Sequence, residues 1–97
     1  MKLFLISQDA VDGYDTYDSA VVAAKDEQAA RETHPSQFVT HHKNGKWMGT
    51  YARSREEYDM DHSSDWVSFK NIHKVKVEYL GLTKKTAGVI CASFNAG

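Results

Sequence analysis

The chain has 97 residues, of which 41% are hydrophobic and 26% charged, and its formal net charge is −1. These values are typical of a single soluble globular domain spanning residues 1–97, and they exclude a disordered chain. No window approaches the roughly 18 consecutive apolar residues of a membrane-spanning helix, so we expect no membrane association. The apolar run after Met1 and Lys2 is too short for a signal peptide, which favours a cytoplasmic location.

Charge is segregated along the chain. Residues 1–33 and 54–66 are acidic, whereas residues 34–53 and 67–97 are basic. Because no sign dominates, the sequence lacks the basic surface of a nucleic-acid groove, and we do not expect direct nucleic-acid binding. The alternating blocks indicate a protein partner instead.

The single cysteine limits the redox chemistry. Cys91 has no second cysteine to pair with, so an intrachain disulfide and a multi-cysteine zinc site are both excluded. Its position in an apolar run predicts a buried structural thiol, not a nucleophile.

The first third of the chain predicts two strands and a helix. Residues 3–6 are apolar on both faces, as in a central strand, and residues 20–24 form a second strand of small side chains. Their connection is too short for a crossover, so we expect the two strands to be antiparallel. Asp26 is the predicted N-cap of a short helix that ends before Pro35.

The middle of the chain predicts a hairpin. Residues 38–42 and 46–51 flank Asn44 and Gly45, a pair that readily supplies the two positive φ angles of a type I′ turn. The polar residues 53–65 that follow leave a short helix and an irregular loop as equal alternatives.

Two strands are predicted near the end of the chain. Val75, Val77 and Tyr79 alternate with charged residues, so we expect one buried and one wet face. The short link to the last strand, residues 89–94, predicts a C-terminal antiparallel hairpin. The whole pattern predicts an α+β fold, a mostly antiparallel β-sheet with one short α-helix packed on a face, in the order β-β-α-β-β-(turn)-β-β.

The connection over residues 8–18 is the chemically richest stretch. It is long for a hairpin loop, and it concentrates carboxylates and tyrosines, the latter being residues that anchor protein interfaces. We therefore predict a partner-binding surface, with the alternative that the tyrosines cover the sheet edge while the aspartates face water. The predicted contact residues are Asp12, Tyr14, Asp15, Tyr17 and Asp18.

A second predicted contact surface lies in the polar segment before Trp66. Its candidate residues are Arg55, Glu56, Tyr58, Asp59 and Asp61. Trp47 and Trp66 themselves are predicted to belong to the core.

The sequence predicts no metal and no cofactor. Asp12, Asp15 and Asp18 lack the ligand rhythm of an EF-hand loop. A zinc site built from His41, His42 and the 59–62 cluster is also disfavoured, because adjacent histidines on a strand point to opposite faces.

An enzyme is not indicated either. Ser93 or Cys91 could form a nucleophilic triad with His34 on paper, but no nucleophile-elbow pattern surrounds either residue. The chain also lacks the Gly-rich fingerprint of a nucleotide site.

Several segments together resemble a family of short, functionally uncharacterised proteins carried by bacteriophages and prophages. They are MKLFLISQ at the start, GYDTYDSAVV at 13–22, AR and HP at 30–31 and 34–35, VKVEYLG at 75–81 and GVICASFNAG at 88–97. Small phage accessory proteins often bind and disable a host protein, including defence systems such as CRISPR effectors. The resemblance therefore implies a counter-defence inhibitor acting in the host cytoplasm on an unidentified host protein.

Three functional hypotheses remain open. The first is this non-enzymatic binding protein. The alternative is a protein that binds or sequesters a small molecule such as a nucleotide signal, with Arg53 or Arg55 completing a pocket at an oligomer interface. The third is a self-assembling homo-oligomer.

Overall fold

A computed structural model describes residues 1–11, 15–61, 65–84 and 87–95. These residues form an α+β fold, mostly antiparallel β-sheet with a short α-helix, as predicted. The elements in chain order are β1 (Lys2–Ser7), β2 (Thr16–Ala24), α1 (Glu27–Arg31), β3 (His41–Lys43), β4 (Lys46–Thr50), β5 (Glu57–Asp59), a 3₁₀ helix (Phe69–Lys74), β6 (Lys76–Leu82) and β7 (Gly88–Asn95).

The strands form two antiparallel sheets. The larger has the order β6-β1-β2-β7, so the first two strands are central, and the smaller has the order β3-β4-β5. No helix in the described part of the chain has the length and apolar character needed to cross a membrane.

The core lies between one face of the larger sheet and the elements packed on it. Phe4 is paired with Val22, and both are buried together with Ala30 of α1. Trp47 and Trp66 are each 2% exposed and belong to the same cluster, which confirms that both tryptophans are core residues.

The other face of the larger sheet is open. Leu5 pairs with Val21, which pairs with Cys91, so these three side chains share the face opposite to the core. Cys91 is exposed. The prediction of a buried thiol is therefore wrong, because β7 is an edge strand and the described elements pack on the other side of the sheet.

The predicted C-terminal hairpin is also wrong. β6 pairs with β1 and β7 pairs with β2, so the two last strands lie on opposite edges. Crossing three strand spacings requires about 14 Å. The link from Leu82 to Gly88 can extend to roughly 20 Å, so a short link does not enforce a hairpin.

The alternation predicted for β6 holds only in part. Val75 is buried and Val77 half-buried, but Tyr79 is 55% exposed although its ring contacts Phe4 edge-on, with centroids 5.7 Å apart. A register shift between Leu3 and Phe4 interrupts the pairing with β1 here, and an edge strand has a neighbour on one side only.

Two local signals are confirmed. The Asp26 carboxylate caps α1 by accepting a hydrogen bond from the Ala29 N–H at 2.8 Å. Asn44 and Gly45 have φ angles of 54° and 73°, and they join β3 to β4. β3 begins later than predicted, at residue 41, and Phe38 is exposed.

The segment after β4 forms neither a helix nor an irregular loop throughout. Glu57–Asp59 adds a third strand to the small sheet, and residues 51–56 make the turn before it, with the Arg55 N–H bonded to the Tyr51 carbonyl. Tyr58 lies over Gly49, where a Cβ atom would collide with the tyrosine ring. The close packing of the Tyr58 ring on Gly49 therefore holds β5 beside β4.

Candidate functional site

Gln8 anchors the connection between β1 and β2. Its side chain is buried, its Oε1 accepts from the Val11 N–H at 2.8 Å, and its Nε2 donates to the carbonyls of Val11 and Tyr17 at 2.8 and 2.9 Å. The Gln8 N–H also donates to the Asp18 carbonyl at 3.2 Å. One amide therefore ties both ends of the connection together. Our sequence reasoning missed this role, although a polar residue at the end of an apolar strand was a visible signal.

The structure shortens the predicted acidic loop. Because β2 begins at Thr16, Tyr17 and Asp18 belong to the strand. Tyr17 is half-buried against the core, whereas Asp15, with a φ of 61°, and Asp18 are exposed. The predicted contacts Asp12 and Tyr14 lie outside the described residues. Tyr17 thus matches the alternative in which a tyrosine covers the sheet while aspartates face water.

The base of this connection adjoins the end of the acidic middle segment. The Tyr17 N–H donates to the Asp65 carbonyl at 2.9 Å. In the same acidic segment, the predicted contact residue Asp61 is only half-exposed, and its Oδ1 accepts from the backbone N–H groups of Trp47 and Phe69 at 3.1 and 2.8 Å. Asp61 therefore holds β4 and the 3₁₀ helix together.

The other residues of the second predicted surface are spread over the small sheet. Asp59 accepts from the Asp61 N–H at 2.7 Å and pairs with Lys46 at 3.4 Å. Arg55 and Glu56 are exposed in the turn at the far end of β4, about 10 Å further along the strand. The structure thus uses Asp61 as a support between β4 and the 3₁₀ helix and leaves the turn residues exposed on the small sheet.

A small cleft opens beside the β1–β2 connection, with a volume of about 270 Å³. It is lined by Ala10, Val11, Trp66, Val67, Ser68, Asn71 and Lys74. Among the described residues, the Trp66 Nε1 is buried without a hydrogen-bond partner, and the Asn71 Nδ2 donates to Ser68 Oγ at 3.1 Å.

A second cavity of about 450 Å³ lies between the segment after α1 and the start of β7. Its lining includes Glu32, His34, His41, Trp47 and Val89. The arginines proposed for a nucleotide pocket, at positions 53 and 55, line neither cavity.

A chain of hydrogen bonds crosses the solvent face of the small sheet. Thr40 Oγ1 lies 3.0 Å from Thr50 Oγ1 and 2.8 Å from His41 Nδ1, and His41 Nε2 lies 3.1 Å from Glu57 Oε1. The Lys43 ammonium donates to the other Glu57 oxygen at 3.0 Å. Hydroxyl, imidazole and carboxylate stand in the order of a nucleophilic triad, but Thr40 and Glu57 are open to water, which weakens electrostatic catalysis. The evident effect of this hydrogen-bond network is to join β3, β4 and β5.

Removing Lys43 is expected to change the titration of Glu57. The hydrogen bond and charge of Lys43, with a smaller effect of His41, hold the pKa of Glu57 below its ordinary 4.5. A depressed pKa stabilises the fold above the ordinary value, and this contribution is lost as the pH falls through the lowered pKa. Lys43→Met should raise the Glu57 pKa, as measured by NMR titration of its carboxyl carbon. Lys46→Met, beside Asp59, is the matched control, and an unchanged titration in Lys43→Met would contradict the assignment.

Other candidates from the sequence are not brought together. Ser93 and Cys91 are exposed on β7, whereas His34 is buried in the core, with its ring 5.1 Å from that of Trp47. His42 stacks on Phe69 at 4.4 Å and faces away from the His41 network. In the described ranges, no three histidine, cysteine or acidic side chains form a group that could hold a metal ion. His62 lies outside those ranges.

Comparisons with protein-family models, curated proteins and solved structures found no match to this chain.

Proposed function

We propose that the protein is a small phage-encoded binding protein, without enzymatic activity, that inhibits or redirects a host protein such as a defence effector. The phage setting rests on the resemblance of the sequence segments. The binding role rests on one structural observation, the buried Gln8 amide that ties down the ends of an acidic connection beside a cleft of about 270 Å³.

Anchoring supports binding because it lowers the entropy lost on association. The carbonyls of Val11 and Tyr17 are fixed by one buried side chain, so the described residues at the two ends of the connection have a defined position. A preorganised surface binds more tightly than a free loop with the same residues.

The charge of the surface suggests the chemistry of its partner. Asp9 has 82% of its side chain exposed, and Asp15 and Asp18 are exposed as well. Lys76 lies 3.5 Å from Asp9 and offsets its charge, so the negative charge of this surface rests mainly on Asp15 and Asp18. We infer that the partner presents a lysine- or arginine-rich surface, which the aspartates attract during encounter.

The charge of the connection favours a protein partner over a free nucleotide. Asp9, Asp15 and Asp18 are exposed and repel phosphate. Within the cleft, an oxygen on a protruding side chain of a protein partner could accept from Asn71 or Lys74.

The test is capture from a host lysate by the tagged protein, followed by affinity measurement with the captured partner. Asp18→Lys is expected to weaken binding at least about tenfold, and more steeply at low salt, without changing the melting temperature. Glu78→Lys, the same charge change on an exposed residue of β6, is the control and should bind normally.

The outcomes separate the hypotheses. Absence of a stoichiometric host protein, or unchanged capture by Asp18→Lys, would contradict the proposal. A thermal shift with one member of a nucleotide panel would favour the small-molecule alternative instead. Tyr17→Ala is unsuitable for this test because Tyr17 packs against the core and its loss would lower stability.

A further inference from the structure

The last strand of the larger sheet has an edge that no described strand covers. Among the described strands, β7 pairs only with β2, so the other side of its backbone has no strand partner in this part of the chain. Gly88–Asn95 contains neither a charged residue nor a proline. Natural edge strands usually carry such residues because they block pairing with other chains.

The opposite edge of the same sheet is protected. β6 carries the exposed charged residues Lys76 and Glu78, whereas β7 carries no charged residue. Both strands have a register shift and a glycine with positive φ, so these features do not distinguish them. The two edges therefore differ in charge, and β7 is the uncharged one.

We propose that β7 pairs antiparallel with β7 of a second copy of this chain, joining two four-stranded sheets into one of eight strands. In such a two-fold pairing each strand meets its own sequence in reverse. Charged strands would then place like charges near each other, but β7 has none, so the pairing meets no repulsion. A strongly charged peptide, in contrast, would find no complementary charge on this edge.

The geometry of β7 limits the register. A shift between Val21 and Val22 makes Ile90 the extra residue of a bulge, so regular pairing with β2 resumes at Cys91. The outer face must continue across the dimer, so residues on the same face meet and the two-fold axis passes beside a residue. We place it beside Cys91, Ala92 or Ser93, because these residues are central in Gly88–Asn95 and lie beyond the bulge, so that most of the strand can pair.

The contact is small, which sets the expected affinity. One strand pair buries less than the roughly 1,200–2,000 Å² of a stable complex. The strand pairing also brings Ile90 of each copy, which is 43% exposed in the monomer, close to the joined edge. We expect a dissociation constant on the order of micromolar rather than nanomolar.

The first test is sedimentation equilibrium of the full chain over a wide concentration range. The wild type should show a monomer–dimer equilibrium. Ser93→Lys keeps its exposed side chain in solvent in the monomer but places two like charges near the axis, so the dissociation constant should rise at least about tenfold. Leu80→Lys, the same charge change at the protected edge, should dimerise like the wild type.

The second test is cross-linking with a mild oxidant. Cys91, and single cysteines placed at 92 or 93 in a Cys91→Ser background, report the register, since a disulfide needs Cα atoms roughly 4.4–6.8 Å apart. We expect rapid cross-linking at one of the three positions and none with Leu80→Cys in the same background. A monomer at every concentration, a dimer unaffected by Ser93→Lys, or absence of cross-linking at all three positions would overturn the proposal.

Discussion

Asp61→Ala is expected to lower the free energy of unfolding by about 3–5 kcal/mol. One carboxylate oxygen accepts from two backbone N–H groups, those of Trp47 and Phe69. A hydrogen bond to a charged acceptor contributes about 1.5–3 kcal/mol, and its loss leaves the donors unsatisfied in a partly buried place. In a domain of this size, such a loss lowers the melting temperature by at least about 12 °C.

Chemical denaturation monitored by tryptophan fluorescence measures this change. Asp61→Asn keeps the accepting oxygen but not the charge, so it should cost about half as much as the alanine variant. Asp18→Asn, at an exposed carboxylate, is the control and should stay within about 0.5 kcal/mol of the wild type. A loss of less than about 1 kcal/mol in Asp61→Ala would show that Asp61 is not the support described.

Gln8→Ala is expected to cost about 2–4 kcal/mol and to release the β1–β2 connection. The side chain makes three hydrogen bonds to the backbone of Val11 and Tyr17, each contributing about 1 kcal/mol, and its burial adds the packing lost with the truncated amide. Denaturation should show the stability loss. Hydrogen exchange should show faster exchange of the Val11 N–H.

A matched glutamine separates this role from a general effect of the substitution. Gln28 is exposed on α1 and its Nε2 donates to Glu32 Oε1 at 2.9 Å on the surface, so Gln28→Ala should cost less than about 0.5 kcal/mol. If Gln8→Ala weakens partner capture at a temperature where the variant is still folded, the anchored connection is part of the binding surface. Equal stability of the two variants would contradict the anchoring role.

The features that could be predicted from the sequence are those that depend on residues close together along the chain. The cap at Asp26 and the turn at Asn44 and Gly45 are decided within a few positions, and the local chemistry was sufficient for both. The placement of β7 depends on which distant strand it meets. A short link before it is compatible with either edge of the sheet, so the hairpin prediction failed, and with it the burial of Cys91.

The candidate site was predictable to a similar extent. Composition pointed to the connection before β2, and the exposure of Asp15 and Asp18 is expected both for a contact surface and for the alternative in which the aspartates face water. The hydrogen bonds of Asp61 and Gln8 were not predictable. Asp61 bonds to partners 14 and 8 residues away, and Gln8 bonds across the whole connection. Side chains that bind distant backbone leave no periodic pattern in the sequence.

The strand order of the larger sheet has a consequence for how the chain folds. β1 and β2 are neighbours in sequence, but Phe4 pairs with Tyr79 and Val22 with Val89, so both outer strands close long loops. Hairpins form in about 1–10 μs, whereas domains dominated by such distant pairings fold in milliseconds to seconds. We therefore expect the central hairpin to form early and to expose both its edges until β6 and β7 dock. That interval is when the nascent chain is most exposed to aggregation, and a chaperone would act there.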